Sequence, residues 1–212
     1  MNEHARIPGD ARAGFLEGAV AEACSAEDLT RLCRSDFGAV IWRRAIPDAV
    51  LGWLAALDPG QLPAGRMILR PDAVESAVQA CCDIAGMPDG DERRVLVRDI
   101  GLLGATFSDM MRAPYLRLRL DVVQSNACRK FHVDTVSARL ICTYRGTGTQ
   151  FGVSAGGADP EAVSSVPTGL PIVLRGRLWP TAQEVDLLHR SPPIEGTGET
   201  RMLLVLDPVT DP

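Results

Sequence analysis

The sequence changes character at Pro114, and this change constrains the fold more than any other feature. Residues 115–122 alternate strictly between polar and apolar side chains, the pattern of a β-strand with one buried face. More short, largely apolar segments follow, separated by Gly, Pro, Ser and Thr, at 136–144, 170–174, 185–189 and 201–206. We therefore predict a β-rich core from about residue 114 to 208.

The part of the chain before Pro114 has mainly helical signals. Prolines and acidic residues in first-turn positions, together with apolar periodicity, predict helices at 48–57, 71–86 and 91–111, with a short strand at 39–42. A chain with helices first and many short strands afterwards is typical of an α+β fold. We expect the N-terminal helices to pack on the outside of a β-sandwich or jelly roll.

The domain organisation follows from the same division. Residues 1–20 are predicted to be a disordered tail, and 21–212 to form a single domain. Within this domain, residues 21–113 are the mainly helical support and 114–208 the β core. A length of 212 residues is enough to bury a sizeable core in this way.

Charge and cysteine usage exclude several classes of function. The net charge is −5, and lysine is almost absent, so we expect no nucleic-acid partner, because phosphate backbones are bound by clustered cations. No apolar run reaches membrane-spanning length, and a cytoplasmic location is expected. The cysteines, which include Cys81, Cys82 and Cys142, form no C-x-x-C motif and are expected to be reduced. The oligomeric state stays open.

The placement of the histidines predicts a metal site. Of three histidines, His4 lies in the predicted tail, His132 forms an H-x-D pair with Asp134, and His189 ends a predicted strand. Residues i and i+2 of a strand share a face, and a jelly roll brings distant strands together. Two imidazoles and one carboxylate are the triad that holds non-haem Fe(II). We predict these three residues to bind Fe(II), with Zn(II) as the alternative.

Arg201 begins the strand that follows His189, across a turn rich in Pro and Gly. A hairpin brings residues on the two sides of its turn together, so Arg201 is expected to return close to His189. Its guanidinium could bind a carboxylate there through two parallel hydrogen bonds. The distal carboxylate of 2-oxoglutarate, whose keto-acid end chelates iron, would be such a group. An arginine paired with Glu195 or Glu199 is the alternative.

Tyr144 is a candidate second contact to the cosubstrate carboxylate. An unbroken strand would place it about 30 Å from Asp134, so the chain must turn near Thr135–Ser137 if Tyr144 is to reach the site. A core tyrosine with a satisfied hydroxyl is the alternative.

Three polar residues on one face of the first predicted core strand are tentative substrate contacts: Arg117, Arg119 and Asp121. A solvated face is the alternative. Arg139 is an odd number of residues from Asp134, so its side chain is expected on the opposite face of the strand, and its role is expected to be structural.

Two resemblances carry these expectations further. The segments 128–134, 142–149 and 188–193 are similar to the bacterial family of unknown function DUF1826, over most of the chain. The H-x-D…H…R order over residues 115–207 resembles the Fe(II)/2-oxoglutarate dioxygenase superfamily, in its prolyl-hydroxylase-like branch. That resemblance implies a cupin-like double-stranded β-helix, with His132, Asp134 and His189 as metal ligands and Arg201 as cosubstrate anchor. The family resemblance implies a link to metal homeostasis.

The sequence therefore favours an Fe(II)- and 2-oxoglutarate-dependent oxygenase that acts on a small molecule, an amino acid or a protein side chain. One alternative is a non-catalytic cupin-like protein that binds zinc or iron. The other is a zinc-dependent hydrolase with an open coordination position, for which Glu195 and Glu199 would be the nearest general bases in the sequence.

Overall fold

The computed structural model describes residues 19–34, 37–154, 156, 158–180 and 186–211. The predicted tail lies outside these residues except for its last two, and Val20 already begins a strand. The strands are β1 (Val20–Ala23), β2 (Ala39–Trp42), β3 (Gly65–Leu69), β4 (Tyr115–Val123), β5 (Ala138–Arg145), β6 (Gln150–Val153), β7 (Ser164–Ser165), β8 (Pro171–Arg175), β9 (Leu187–Arg190) and β10 (Arg201–Val209). The α-helices are α1 (Arg31–Arg34), α2 (Asp48–Ala56), α3 (Val74–Ile84) and α4 (Asp91–Met111).

The strands form two sheets. The large sheet has the order β1-β2-β8-β5-β10-β4-β3, and the small sheet has the order β7-β6-β9. The β1–β2 pair is parallel and the other pairs of the large sheet are antiparallel. An isolated antiparallel bridge between His132 and His189 adds a fourth chain segment beside β9. The architecture is α+β with a large mixed sheet and a jelly-roll-like core, and this confirms the predicted class.

The apolar residues of the large sheet divide between two cores. On one face, residues such as Leu118 and Leu204 form a cluster with Ile100 and Phe107 of α4. On the other face, Leu203 and its neighbours pack with residues of the small sheet. Strand alternation accounts for this division, because successive residues of β10 point to opposite faces. The second face carries the candidate site.

Before residue 114, the structure has two strands that were not predicted, β1 and β3, in addition to the predicted β2. β1 and β3 occupy the two edges of the large sheet. β3 lies between the predicted helices and is only half-buried, with exposed and partly buried residues in alternation. Its short length gave no strong periodic signal, and its pairing with β4 holds it in the sheet. No described helix is both long and apolar enough to cross a membrane.

Candidate metal centre

His132, Asp134 and His189 come together between the two sheets. One potential ligand atom from each lies within 4.8 Å of the others, and the three are a candidate metal-binding group. His132 and His189 exchange two backbone hydrogen bonds, of 3.0 and 3.1 Å between N and O. Directly opposed residues of an antiparallel pair project their side chains to the same face, so the two rings lie with their centroids 4.5 Å apart.

Backbone contacts fix the donor atoms of this cluster. His132 Nδ1 lies 2.8 Å from the carbonyl oxygen of Lys130, which leaves Nε2 free to bind a metal. The carbonyl of Asp134 accepts a hydrogen bond of 2.9 Å from the backbone N–H of Arg177. Gly176 permits this approach, because a Cβ there would lie 1.9 Å from the oxygen of Val136. The loop that carries Asp134 is therefore held firmly against the chain after β8.

The protonation states suit metal binding. Burial favours the carboxylic acid form of Asp134, but the close approach of His189 and the charge of Arg139 outweigh it and lower the pKa of Asp134 to about 2. Burial lowers the pKa of His189 and so favours the neutral ring. An anionic carboxylate and a neutral imidazole are the forms that coordinate a divalent ion.

Asp134 has one oxygen that the protein does not satisfy fully. Its Oδ1 accepts a hydrogen bond from Arg139, whereas Oδ2 is buried and has no well-oriented hydrogen-bond donor within the described chain. His189 Nε2 lies 2.9 Å from this oxygen, but the contact does not have hydrogen-bond geometry. A buried, incompletely paired carboxylate oxygen is costly. It fits a cation bound between Asp134 and the two rings.

Two residues that support the site were missed by the sequence analysis. Arg139 donates to Asp134 and also binds Asp207 of β10, through Nε–Oδ1 at 2.6 Å and Nη2–Oδ2 at 2.9 Å. Arg139 was expected to be structural because simple alternation separates it from Asp134. The chain bends at residues 135–137, and this bend brings the side chain of Arg139 to the same face of the sheet as Asp134. The available signal was a charge inside each of two largely apolar strands, Arg139 in β5 and Asp207 in β10, since such charges are usually paired.

Arg201 is buried and points to the same side of the large sheet. The residue as a whole is 1% exposed. Nε donates to the carbonyl of Thr147 at 2.6 Å, and Nη1 lies 3.4 Å from Oγ of Ser191, two residues after His189. The hairpin return that was expected from the sequence therefore does bring Arg201 beside the segment that carries His189.

Arg201 forms no ion pair within the described residues, although the carboxylate of Glu199 is close enough to oppose the effect of burial on the pKa of Arg201. Its Nη2 is buried without a hydrogen bond, and burial lowers the pKa of Arg201 to about 10. The two acids offered as alternative partners are engaged elsewhere: Glu199 accepts from the backbone and hydroxyl of Thr147, and Glu195 from Asn126. An incompletely paired buried guanidinium is expensive, so this position suits an anionic ligand.

The structure does not bring Tyr144 to the site. Its hydroxyl donates to Asp99 Oδ2 at 2.5 Å, and Arg44 binds the same carboxylate. Asp99 belongs to α4, on the face of β5 opposite to the triad. The bend at residues 135–137 shifts the alternation, so the even-numbered residues of β5 face the helices. Tyr144 is a core tyrosine with a satisfied hydroxyl.

We predict that Tyr144→Phe affects stability and leaves the site intact. Loss of a hydrogen bond to a charged group should lower the free energy of unfolding by about 1.5–3 kcal/mol, measured by chemical denaturation. Tyr115→Phe, at the only other tyrosine of the chain, is the control and should change it little. A Tyr144→Phe protein with unchanged stability but weaker 2-oxoglutarate binding would contradict this assignment.

The buried cysteines are poorly suited to metal binding. Burial raises the pKa of Cys82 to about 11 and that of Cys142 to about 12, and it also raises the pKa of Cys81. A thiol must lose its proton to ligate a metal. Within the described residues, the candidate metal cluster contains the two histidines and Asp134 and no cysteine.

Comparison with known structures identifies the fold. The chain resembles dioxygenase for auxin oxidation 1 from Arabidopsis thaliana, solved in complex with 2-oxoglutarate. The similarity covers 92% of this chain and 93% of that protein, with a TM-score of 0.55 and 10% identity. The chain also resembles the rice dioxygenase for auxin oxidation, over 90% of this chain and 82% of the other, with a TM-score of 0.51 and 12% identity. A 2OG-Fe(II) oxygenase family oxidoreductase from Burkholderia pseudomallei matches over 89% and 94% with a TM-score of 0.45 and 17% identity.

The two dioxygenases for auxin oxidation share their fold with this chain, and the chain carries a candidate His-Asp-His triad. The sequence profile of DUF1826, described as a protein of unknown function, matches residues 23–207. The chain belongs to this family. No sequence among curated proteins matches it.

Proposed function

We propose that this protein is an Fe(II)- and 2-oxoglutarate-dependent oxygenase. The observation that carries the proposal is the pairing of two features on one side of the large sheet. One is the His132–Asp134–His189 cluster, and the other is the buried Arg201, whose free Nη2 lacks an anion. The double-stranded β-helix of the dioxygenase class, with helices on its outer face, is the framework that we propose for both.

Each residue has a distinct role in this proposal. His132, Asp134 and His189 hold the iron, and Arg201 binds the distal carboxylate of 2-oxoglutarate. Arg139 orients Asp134 and is itself held by Asp207. Fe(II) and 2-oxoglutarate, when bound, supply the oxidising chemistry: O₂ converts 2-oxoglutarate to succinate and CO₂ while a C–H bond of the substrate is hydroxylated. The protein supplies binding, orientation and a site shielded from water.

The test is consumption of 2-oxoglutarate. Protein loaded with Fe(II) without oxygen and then exposed to O₂ should form succinate and CO₂ in equal amounts. Without substrate the reaction should still proceed slowly if ascorbate is present, because ascorbate then supplies the two electrons that reduce the second oxygen atom of O₂ to water. Asp134→Asn, which keeps the shape but removes the anionic ligand, should abolish the conversion, and His4→Ala should not. If the iron-loaded wild type neither binds nor consumes 2-oxoglutarate, the metal-binding or zinc-hydrolase alternative replaces this proposal. A role in metal homeostasis stays a prediction.

A further inference from the structure

The small sheet covers only part of the inner face of the large sheet. The cluster between the sheets draws residues such as Ile41, Ile141, Ile172 and Leu203 from β2, β5, β8 and β10. From β4 it includes only the half-buried Val123, and from β3 none of the described residues. β3 and β4 therefore extend beyond the sandwich as an open shelf.

The strand register defines the residues of this shelf. Arg117 lies opposite Asp207 of β10, and Arg119 lies opposite Val205. Ile68 and Arg66 of β3 lie opposite the same two arginines. Directly opposed residues share a face of the sheet, so the shelf lies on the face that carries the metal cluster. It consists of Arg66, Ile68, Arg117, Arg119 and Asp121.

The shelf has more positive than negative charge. Arg66 is paired with Asp121 at 3.0 Å. Arg117 is exposed, and none of the hydrogen bonds or ion pairs of the described chain involves it. Arg119 is half-buried, its Nε has no partner, and its Nη2 lies 3.9 Å from Asp207 Oδ2, beyond hydrogen-bond distance. Arg139 already binds both carboxylate oxygens of Asp207, so Arg117 is unpaired within the described chain and Arg119 has only a long ion pair. Both guanidiniums, at positions i and i+2, keep donors for a ligand.

A chain of contacts links this pair to the metal cluster. Arg119 approaches Asp207, Asp207 binds Arg139, and Arg139 donates to Asp134. β10, which carries Asp207, lies between β4 and β5 in the large sheet, so the path from the two arginines to the metal cluster crosses β10. Two incompletely paired guanidiniums near a candidate metal site suit a ligand with an anionic group.

We propose that the substrate is a small anionic molecule whose carboxylate or phosphate binds Arg117 and Arg119 of β4, while the rest of the molecule extends across β10 toward the metal. This inference rests on the proposed oxygenase function and names the substrate class of the same site. It gives a binding role to the two arginines that the sequence marked as tentative substrate contacts. Asp121, paired with Arg66, positions the neighbouring side chain and does not contact the substrate.

Three probes with the same alkyl chain test this inference: hexanoate, hexyl phosphate and hexanamide. Their binding is measured by ligand-observed NMR on the zinc-loaded protein, with and without 2-oxoglutarate. At least one anion should bind about ten-fold or more tightly than the amide, since a charge-assisted hydrogen bond is worth about 1.5–3 kcal/mol. The anion that binds more tightly distinguishes a carboxylate from a phosphate substrate.

Variants locate the binding site. Arg117→Gln should weaken the preference for the anion, and Arg117→Gln with Arg119→Gln should remove it. Arg117 is exposed and unpaired within the described chain, so the single variant should fold even if the double variant does not. Arg94→Gln, at an exposed arginine of α4, is the matched control and should change nothing. Arg201→Gln should preserve the preference.

Equal binding of anion and amide by the wild type would overturn the inference, as would a preference that persists in Arg117→Gln or disappears only in Arg201→Gln. These outcomes are independent of the proposed function. Consumption of 2-oxoglutarate without anion binding at Arg117 and Arg119 would refute the substrate class alone. Anion binding there without 2-oxoglutarate consumption would refute the oxygenase alone.

Discussion

Replacement of His132 and His189 by alanine together should abolish stoichiometric metal binding. Loss of a group that only supports a metal ligand already weakens binding by about 10–100-fold, so loss of two direct ligands should exceed 100-fold. Metal analysis after dialysis against Fe(II), Zn(II) or Mn(II) measures the number of ions that each protein retains. The wild type should also be stabilised by about 2.7 kcal/mol when the free ion is at 100 times its dissociation constant, and the double variant should lose this stabilisation.

Two further variants separate metal binding from folding. His4→Ala changes the third histidine of the chain and should bind metal like the wild type. Asp134→Asn keeps the side-chain volume at the buried position and should fold, yet it should bind metal far more weakly. A folded His132→Ala, His189→Ala protein that retains one ion per chain would show that the metal site lies elsewhere.

Arg201→Ala should keep the metal and lose affinity for 2-oxoglutarate. The guanidinium is buried with a free Nη2, so a carboxylate bound there gains a charge-assisted hydrogen bond of about 2–3 kcal/mol. That corresponds to an affinity roughly 30–150-fold lower in the variant. Calorimetric titration of 2-oxoglutarate into the metal-loaded, oxygen-free protein measures it, with the metal content determined in the same sample.

Arg201→Lys and Arg94→Ala complete this series. Lysine keeps the charge but not the planar fork, so the affinity for 2-oxoglutarate should fall less than in Arg201→Ala. Arg94 is an exposed arginine paired with Asp91, and its loss should leave 2-oxoglutarate binding unchanged. Wild-type affinity in a folded, metal-loaded Arg201→Ala protein would mean that the cosubstrate anchor is another residue.

Local sequence patterns predicted much of this architecture. Alternation identified β4, the apolar segments identified β5, β8, β9 and β10, and helical periodicity placed α4 at its observed bounds. The H-x-D pair and His189 were expected to converge, and the structure brings their ligand atoms together. These features depend on short-range periodicity, on the spacing of two motifs and on one hairpin, which a single sequence displays directly.

The pairing of distant strands and their register could not be predicted from the sequence in the same way. The contact between Arg139 and Asp207 joins residues far apart in the sequence, and it depends on which strands are neighbours and in what register. The phase change at residues 135–137 moved Tyr144 to the helical face and Arg139 to the site. A bend of this kind has no periodic signature, so alternation counted through it assigned both residues to the opposite faces. The edge strand β3 was missed because it is short and half-buried.

A crystal structure of the protein grown without oxygen, with Mn(II) in place of Fe(II) and with 2-oxoglutarate, tests the central claim most directly. Anomalous scattering locates the ion independently of the protein model. We predict one ion bound by His132, Asp134 and His189, with 2-oxoglutarate on the ion and its distal carboxylate on Arg201. An ion at other residues, or a carboxylate that does not contact Arg201 in a metal-loaded crystal, would contradict the account.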